Sequence, residues 1–157
     1  MGLAWALAGM FLAVVLSGIG SANGIGTAGQ AAAGALTETS EHFGKYLILV
    51  ALPGTQGIYG FAIAFLLLLK LQQFSYVITP EQGWYFFFAA LPVGFAGLFS
   101  AIYQGRVCAA GIMLTGKQPK ESAKSLILAA IVEFYAILGF VISFFAWLWP
   151  ISSLKIG

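Results

Sequence analysis

The sequence predicts an all-α membrane protein, four transmembrane helices arranged as two tandem, parallel helical hairpins. Three observations carry this. Of the 157 residues, 61% are hydrophobic and 8% are charged, less charge than a soluble fold of this size uses. The few charges leave four charge-poor blocks, 3–36, 46–69, 82–105 and 125–149. Each is long enough to cross a hydrocarbon core of about 30 Å as a helix, and none shows the polar alternation of a membrane β-strand. The chain also repeats itself. LILVALPGTQGIYGFAIAF (47–65) lies on LILAAIVEFYAILGFVISF (126–144) with nine identities in 19 positions, an offset of 79 residues. The offset extends into the preceding helices, where Gly18, Ser21, Ala22 and Gly26 match Gly97, Ser100, Ala101 and Gly105. Each repeat is one hairpin, so the two units are 1–78 and 79–157. Two crossings per unit make the copies parallel rather than inverted.

Block one has no basic stretch before it and no processing site, so it is expected to be a retained helix rather than a signal peptide. Ala6 removes the myristoylation signal that Met1-Gly2 would begin. Its small residues recur every fourth position at Gly18, Ala22 and Gly26, with Gly20 and Gly24 as a second pair. Block three repeats the pattern at Gly97, Ala101 and Gly105. Small residues at this spacing let backbones approach closely in lipid. The two helices are therefore expected to line the inner wall of a homo-oligomeric ring, and Leu at Gly26 or Gly105 to prevent assembly. Block two is interrupted by Pro53-Gly54, which removes a backbone donor and loosens the helix. By helix geometry the freed carbonyl is that of Leu49.

The polar connections are 37–45 (TETSEHFGK), 70–81 and 116–124 (GKQPKESAK). An even number of crossings separates the first from the third, so both face one side. They carry Lys45, Lys117, Lys120 and Lys124, with Arg106 near the end of block three, against Lys70 and Lys155 opposite. The positive-inside rule places connections 37–45 and 116–124 in the cytoplasm of a multi-pass cell-membrane protein, with both termini outside. Trp84, Trp147 and Trp149 then fall at the outer interface, where an aromatic belt belongs. The basic residues are scattered at helix ends and form no nucleic-acid surface. Cys108 is the single cysteine, so no internal disulfide and no thiolate metal cluster is expected. His42 reads as a solvated loop residue.

Block four, 25 residues long, contains one charge, Glu133, nine residues past Lys124. That is roughly 13 Å into the membrane. A carboxylate there costs about 2.5–3.5 kcal/mol or more, so it normally faces a protein cavity on an ion or proton path. Few other polar side chains lie so deep. Thr55, Gln56 and Tyr59 share one face of block two with Leu52, at spacings of three and four. Gln104 is the deep polar residue of block three. A carboxylate, two amide oxygens, a hydroxyl and a backbone carbonyl form an oxygen-only set, which suits a hard cation. The structural alternative is a hydrogen-bonded plug that only holds helices together.

SGIGSANGIG, LPGTQGIYGF, FSAIYQGRV and VEFYAILGF, in this order over nearly the whole chain, resemble the membrane rotor family of vacuolar-type and archaeal-type ATPases. The similarity is greatest to the four-helix K-type (proteolipid, c-type) subunits of bacterial sodium-translocating enzymes. The resemblance implies a homo-oligomeric ring with helices one and three inside and helices two and four toward lipid. It implies a stator membrane subunit with an essential Arg, and a central-stalk subunit at the cytoplasmic loops. It also implies Na⁺ ligands at the Leu52 carbonyl, Thr55, Gln56, Gln104 and Glu133, with Tyr59 hydrogen-bonded to Glu133. Phe134 departs from relatives that carry a hydroxyl residue after the Glu. Gly54 stands where Glu133 stands in the other repeat, so one chain carries one ion per four helices. Fewer ions per turn leaves more free energy per ion, which suits a pump.

The chain is accordingly expected to be a non-catalytic subunit. It has no Gly-x-x-x-x-Gly-Lys-Ser/Thr loop, so it holds no nucleotide and ATP is hydrolysed elsewhere. The same rotor carrying H⁺ needs only the carboxylate and leaves Thr55 and Gln56 without a purpose. A free-standing pore or small transporter would need a polar path, whereas these residues form one cluster.

Overall fold

The computed structural model describes residues 1–150. Lys155, counted above on the outer side, lies outside them. Among the described residues, four helical spans are long and apolar enough to cross a membrane: Gly2–Leu36, Phe43–Gln72, Pro80–Lys117 and Pro119–Leu148. The first is α1 (Gly2–Leu36). The second is built from α2 (Phe43–Ala51), a 3₁₀ turn (Leu52–Gly54) and α3 (Thr55–Gln72). The third is α4 (Pro80–Lys117), and the fourth is α5 (Ser122–Leu148), preceded by the 3₁₀ turn Pro119–Glu121. Helix is the necessary form here, because lipid offers the backbone no hydrogen-bond partner and each crossing must satisfy its own.

Local chemistry sets most ends. α4 starts with a capping box: Thr79 accepts from the Gln82 amide, and the Gln82 side chain accepts from the Thr79 amide. Pro80 occupies the first turn, where its missing donor costs nothing. At its other end α4 runs to Lys117, well past the expected Gly105. The charge of Arg106 does not stop it. Its guanidinium lies over the Tyr103 ring, 5.1 Å from the centroid, and Pro119 two residues past Lys117 is the first real break. Arg106 therefore sits inside the helix rather than at its end.

Both lysine-rich connections lie at one end of the bundle. Lys45 Nζ donates to the Pro119 carbonyl at 2.8 Å, and Lys124 pairs with Glu121. At the other end Lys70 donates to the Trp147 and Trp149 carbonyls, and Tyr85 to that of Ala146. Trp84 and Trp147 stand at this end, and Trp5 stacks on Trp84 with centroids 4.0 Å apart.

Two apolar cores fill the bundle. One, toward the termini, includes Met10, Ile63, Leu67, Phe86 and Val93. The other, toward the lysine-rich end, includes Tyr46, Leu49, Cys108, Ile112 and Ala129. Between them runs a layer of buried polar residues, Ser17, Ser21, Gln56, Ser100, Gln104 and Glu133.

α1 and α4 pack backbone to backbone along their length. A Cβ added to Gly24 would strike Ala101, one added to Gly105 would strike Gly24, and one added to Gly20 would lie 2.6 Å from the Leu98 carbonyl oxygen. The small residues divide by what they meet. Gly20, Gly24, Gly97 and Gly105 make the contact inside one chain, whereas Gly18 and Gly26 have open space at the Cβ position. Substitution at Gly105 is a test of the subunit's own fold, and substitution at Gly26 a test of what lies outside it.

Candidate ion site

The polar layer holds Gln56, Gln104 and Glu133, and Thr55, Tyr59 and the Leu52 carbonyl stand beside it. Pro53 is buried against Gly24, where a Cβ on Gly24 would lie 2.7 Å from the proline Cβ. Pro53 cannot donate, and the chain tightens into the 3₁₀ turn Leu52–Gly54 before α3 resumes. The Leu52 carbonyl accepts both the amide and the hydroxyl of Thr55, the latter at 2.9 Å. The Leu52 carbonyl therefore stands at the cluster, beside the Thr55 hydroxyl. Ser21 accepts the Gly57 amide at 2.8 Å, where Pro53 has disturbed the ladder.

Glu133 projects from α5 and is 8% exposed. Its Oε1 lies 2.6 Å from the Thr55 hydroxyl and accepts from the Tyr59 hydroxyl at 2.7 Å. Its Oε2 accepts from Gln104 Nε2 at 2.9 Å, and the same nitrogen donates to the Ala129 carbonyl at 3.0 Å. Gln56 Nε2 donates to Gln104 Oε1 at 2.7 Å. The Thr55 hydroxyl has one proton and two acceptors, Leu52 O and Glu133 Oε1, so one contact always lacks a hydrogen. Gln56 Oε1 is fully buried and has no partner.

This set is acceptor-rich. An unpartnered buried acceptor costs roughly 1–3 kcal/mol, and the surplus oxygens of Gln56, Thr55, Leu52 and Glu133 are the hard ligands that alkali and alkaline-earth cations prefer. Among the described residues no cluster of His, Cys, Asp and Glu suits a transition metal. Cys108 is buried in the apolar core. His42 stands before α2 with its ring perpendicular to that of Tyr46, centroids 6.5 Å apart.

Sequence reasoning missed three supports. Ser21 holds the irregular turn, Ser100 donates to the Val132 carbonyl at 2.9 Å beside Glu133, and the Ala129 carbonyl orients Gln104. A signal existed for the serines, since Ser21 and Ser100 occupy matching places in the two repeats. A main-chain acceptor such as Ala129 leaves no mark in a sequence.

Residues 8–67 and 87–146 each match the family model of the ATP synthase C-subunit. The two segments are offset by the same 79 residues as the internal repeat. The V-type sodium ATPase subunit K of Enterococcus hirae is 52% identical over 143 residues, covering 91% of this chain and 90% of that protein. The A-type ATP synthase subunit K of Methanocaldococcus jannaschii is 36% identical, covering 86% of this chain and 58% of its own length. The 16 kDa proteolipid of the V-type proton ATPase of Nephrops norvegicus is 29% identical, covering 85% of this chain and 83% of its own length.

Proposed function

The chain belongs to the ATP synthase C-subunit family, and we propose on that premise that it is the Na⁺-carrying rotor-ring subunit of a V-type ATPase. It is a multi-pass membrane protein and not itself a catalyst. The name of the Enterococcus hirae relative, a sodium ATPase subunit, supports the ion. The observation that carries it is the buried, partnerless Oε1 of Gln56, whose Nε2 reaches Glu133 through Gln104. A proton would sit on the carboxylate alone and leave that oxygen unsatisfied. A dehydrated cation held by the Leu52 carbonyl, Thr55, Gln56, Gln104 and Glu133 satisfies it. Tyr59 closes the site from the lipid side by its bond to Glu133, with its ring on Phe140, centroids 5.4 Å apart.

Turning follows from cost. A bare carboxylate is too expensive in hydrocarbon, so Glu133 passes the lipid only with its ion or a proton bound. Opposite an Arg of a stator subunit the ion can leave, because a fixed positive charge compensates the carboxylate instead. Release requires the Tyr59 bond to open and the Thr55 hydroxyl to swing onto Leu52.

Carbodiimide attacks only the protonated acid. Na⁺ should therefore protect Glu133 from modification near neutral pH, and protection should weaken as the pH falls, because Na⁺ and H⁺ compete for one carboxylate. Thr55→Ala with Gln56→Ala removes two ligands at about 1.5 kcal/mol or more each, so at least about a hundredfold more Na⁺ should be needed. Equal labelling of Glu133 with and without saturating Na⁺ would leave H⁺ as the cargo.

For sidedness, the end that holds Lys45, Lys117, Lys120 and Lys124 is assigned to the cytoplasm, where it would meet the central stalk. Cysteine placed at Ser40 or Ser122 should react in intact cells only with membrane-permeant reagents. Cys108 is fully buried and gives no background. Ready labelling of both positions by an impermeant reagent from outside would invert the assignment.

A further inference from the structure

α3 begins at the polar layer, and its first two residues, Thr55 and Gln56, are two of the proposed cation ligands. The opening turn of a helix leaves its amides without carbonyls of their own helix. A side chain at the cap position normally accepts the amide of the second or third helical residue. Here that position is Gly54, which has no side chain, and no side-chain cap bond forms there. Thr55 directs its amide to the Leu52 carbonyl across the 3₁₀ turn. Gly57 is the third helical residue, and its amide goes to Ser21 Oγ of α1 at 2.8 Å. Ser21 is itself buried, 6% exposed. Glycine at 57 lets the two meet, since a Cβ there would lie 3.2 Å from Ser21 Oγ and 3.3 Å from Ser21 Cβ.

Two other buried serines show that this use is particular to Ser21. Ser17, one turn away on α1, sends its hydroxyl back to its own helix, to the Ala13 carbonyl at 2.6 Å. Ser100, the counterpart of Ser21 in the second hairpin, donates to the Val132 carbonyl at 2.9 Å. α5 runs unbroken from Ser122 to Leu148 past that carbonyl, so its ladder needs no acceptor from outside. Of the three, Ser21 is the one that accepts, and it does so in the hairpin where a helix restarts.

We infer that Ser21 is a positioning residue of the ion site. It caps α3 from another helix, and so fixes the turn that carries the Leu52 carbonyl, the Thr55 hydroxyl and the Gln56 side chain. The bond does not use the Thr55 proton, so it holds whether Thr55 donates to Leu52 or to Glu133. The ligand backbone therefore stays in place while side chains exchange partners, and the site opens by rotation of Thr55 and Tyr59, not by unwinding of α3. Without Ser21 Oγ the Gly57 amide becomes a buried donor with no acceptor. A shift of the turn relieves it, and that shift carries Thr55 and Gln56 out of register with Gln104 and Glu133, which stand on other helices.

This inference rests on the Na⁺ reading, and the test separates the two. Carbodiimide labelling of Glu133 is followed against Na⁺ concentration in the full chain purified in detergent. Ser21→Ala should raise the Na⁺ needed for half-protection by at least about fivefold. Ser21→Cys, nearer to serine in size but a weak acceptor, should do the same. Labelling without Na⁺ should match the wild type, because Glu133 keeps its own partners. Ser17→Ala removes an equally buried hydroxyl that bonds only within α1, and should leave half-protection unchanged. A role in packing alone would lower the thermal midpoint and move neither protection curve. Coincident curves for Ser21→Ala and wild type overturn the assignment and leave the Na⁺ reading standing. So does failure of both Ser21 variants to fold, which would make Ser21 a residue of the fold and not of the site. A wild-type chain that Na⁺ does not protect overturns the Na⁺ reading and this inference together.

Discussion

Glu133→Gln should abolish ion transport while leaving the subunit folded and the ring assembled. Gln is nearly isosteric with Glu and keeps an oxygen for the Tyr59 and Thr55 hydroxyls, which meet Glu133 Oε1 at 2.7 and 2.6 Å. Its amide nitrogen would then face Gln104 Nε2, donor against donor, where Glu133 Oε2 now accepts at 2.9 Å. Losing that one bond costs roughly 1–3 kcal/mol, too little to dismantle four crossings. The neutral side chain loses the charge that draws a cation and the acid that a carbodiimide attacks. Na⁺ uptake into vesicles holding the whole ATPase should fall to background, with ring yield unchanged. Transport at the normal rate would remove Glu133 from the ion path, and a lost ring would make it a structural residue.

How much of this was legible in the sequence differs by residue. Glu133 was, because one charge in a long apolar run has no inexpensive alternative explanation. Thr55, Gln56 and Tyr59 were, because polar residues repeating at helical spacing mark one face, and the structure turns that face toward Glu133. The four crossings were legible because lipid leaves the backbone few options. The far end of α4 was not. A charge-based boundary stops at Arg106, whereas the helix continues to the first residue that cannot propagate it, Pro119, two residues past Lys117. Which backbone oxygen joins the cluster was left between Leu49, by helix geometry, and Leu52, by resemblance. The turn at Pro53 is 3₁₀, and that tightening brings the Leu52 carbonyl to the Thr55 hydroxyl. The glycines were seen but their partners were not. Spacing tells which residues share a face, and packing alone tells whether the face meets its own chain or another.

Gly105→Leu should unfold the subunit's interior, and Gly26→Leu should not. Both are exchanges of a helical glycine for a strong helix former, so intrinsic propensity favours each by somewhat under about 1 kcal/mol. Their surroundings differ. At Gly105 the first added carbon already collides with the backbone of Gly24, and Gly24 is held in turn between Ala101 and Pro53. Overpacking typically costs about 1–3 kcal/mol where side chains can yield. Here the obstacle is main chain on both sides, so α1 and α4 must separate. Gln104, the adjacent residue, would then move away from Gln56 and Glu133, which it joins at 2.7 and 2.9 Å. The variant should show a lowered thermal midpoint in detergent, a weakened near-ultraviolet signal from the tryptophans, and no Na⁺ protection of Glu133. Gly26→Leu meets no atom of its own chain within 4 Å at the Cβ, so in dispersed subunits its midpoint should match the wild type even where assembly fails. If Gly105→Leu kept both the midpoint and the protection, the close approach of α1 and α4 would not be what holds the ion site together.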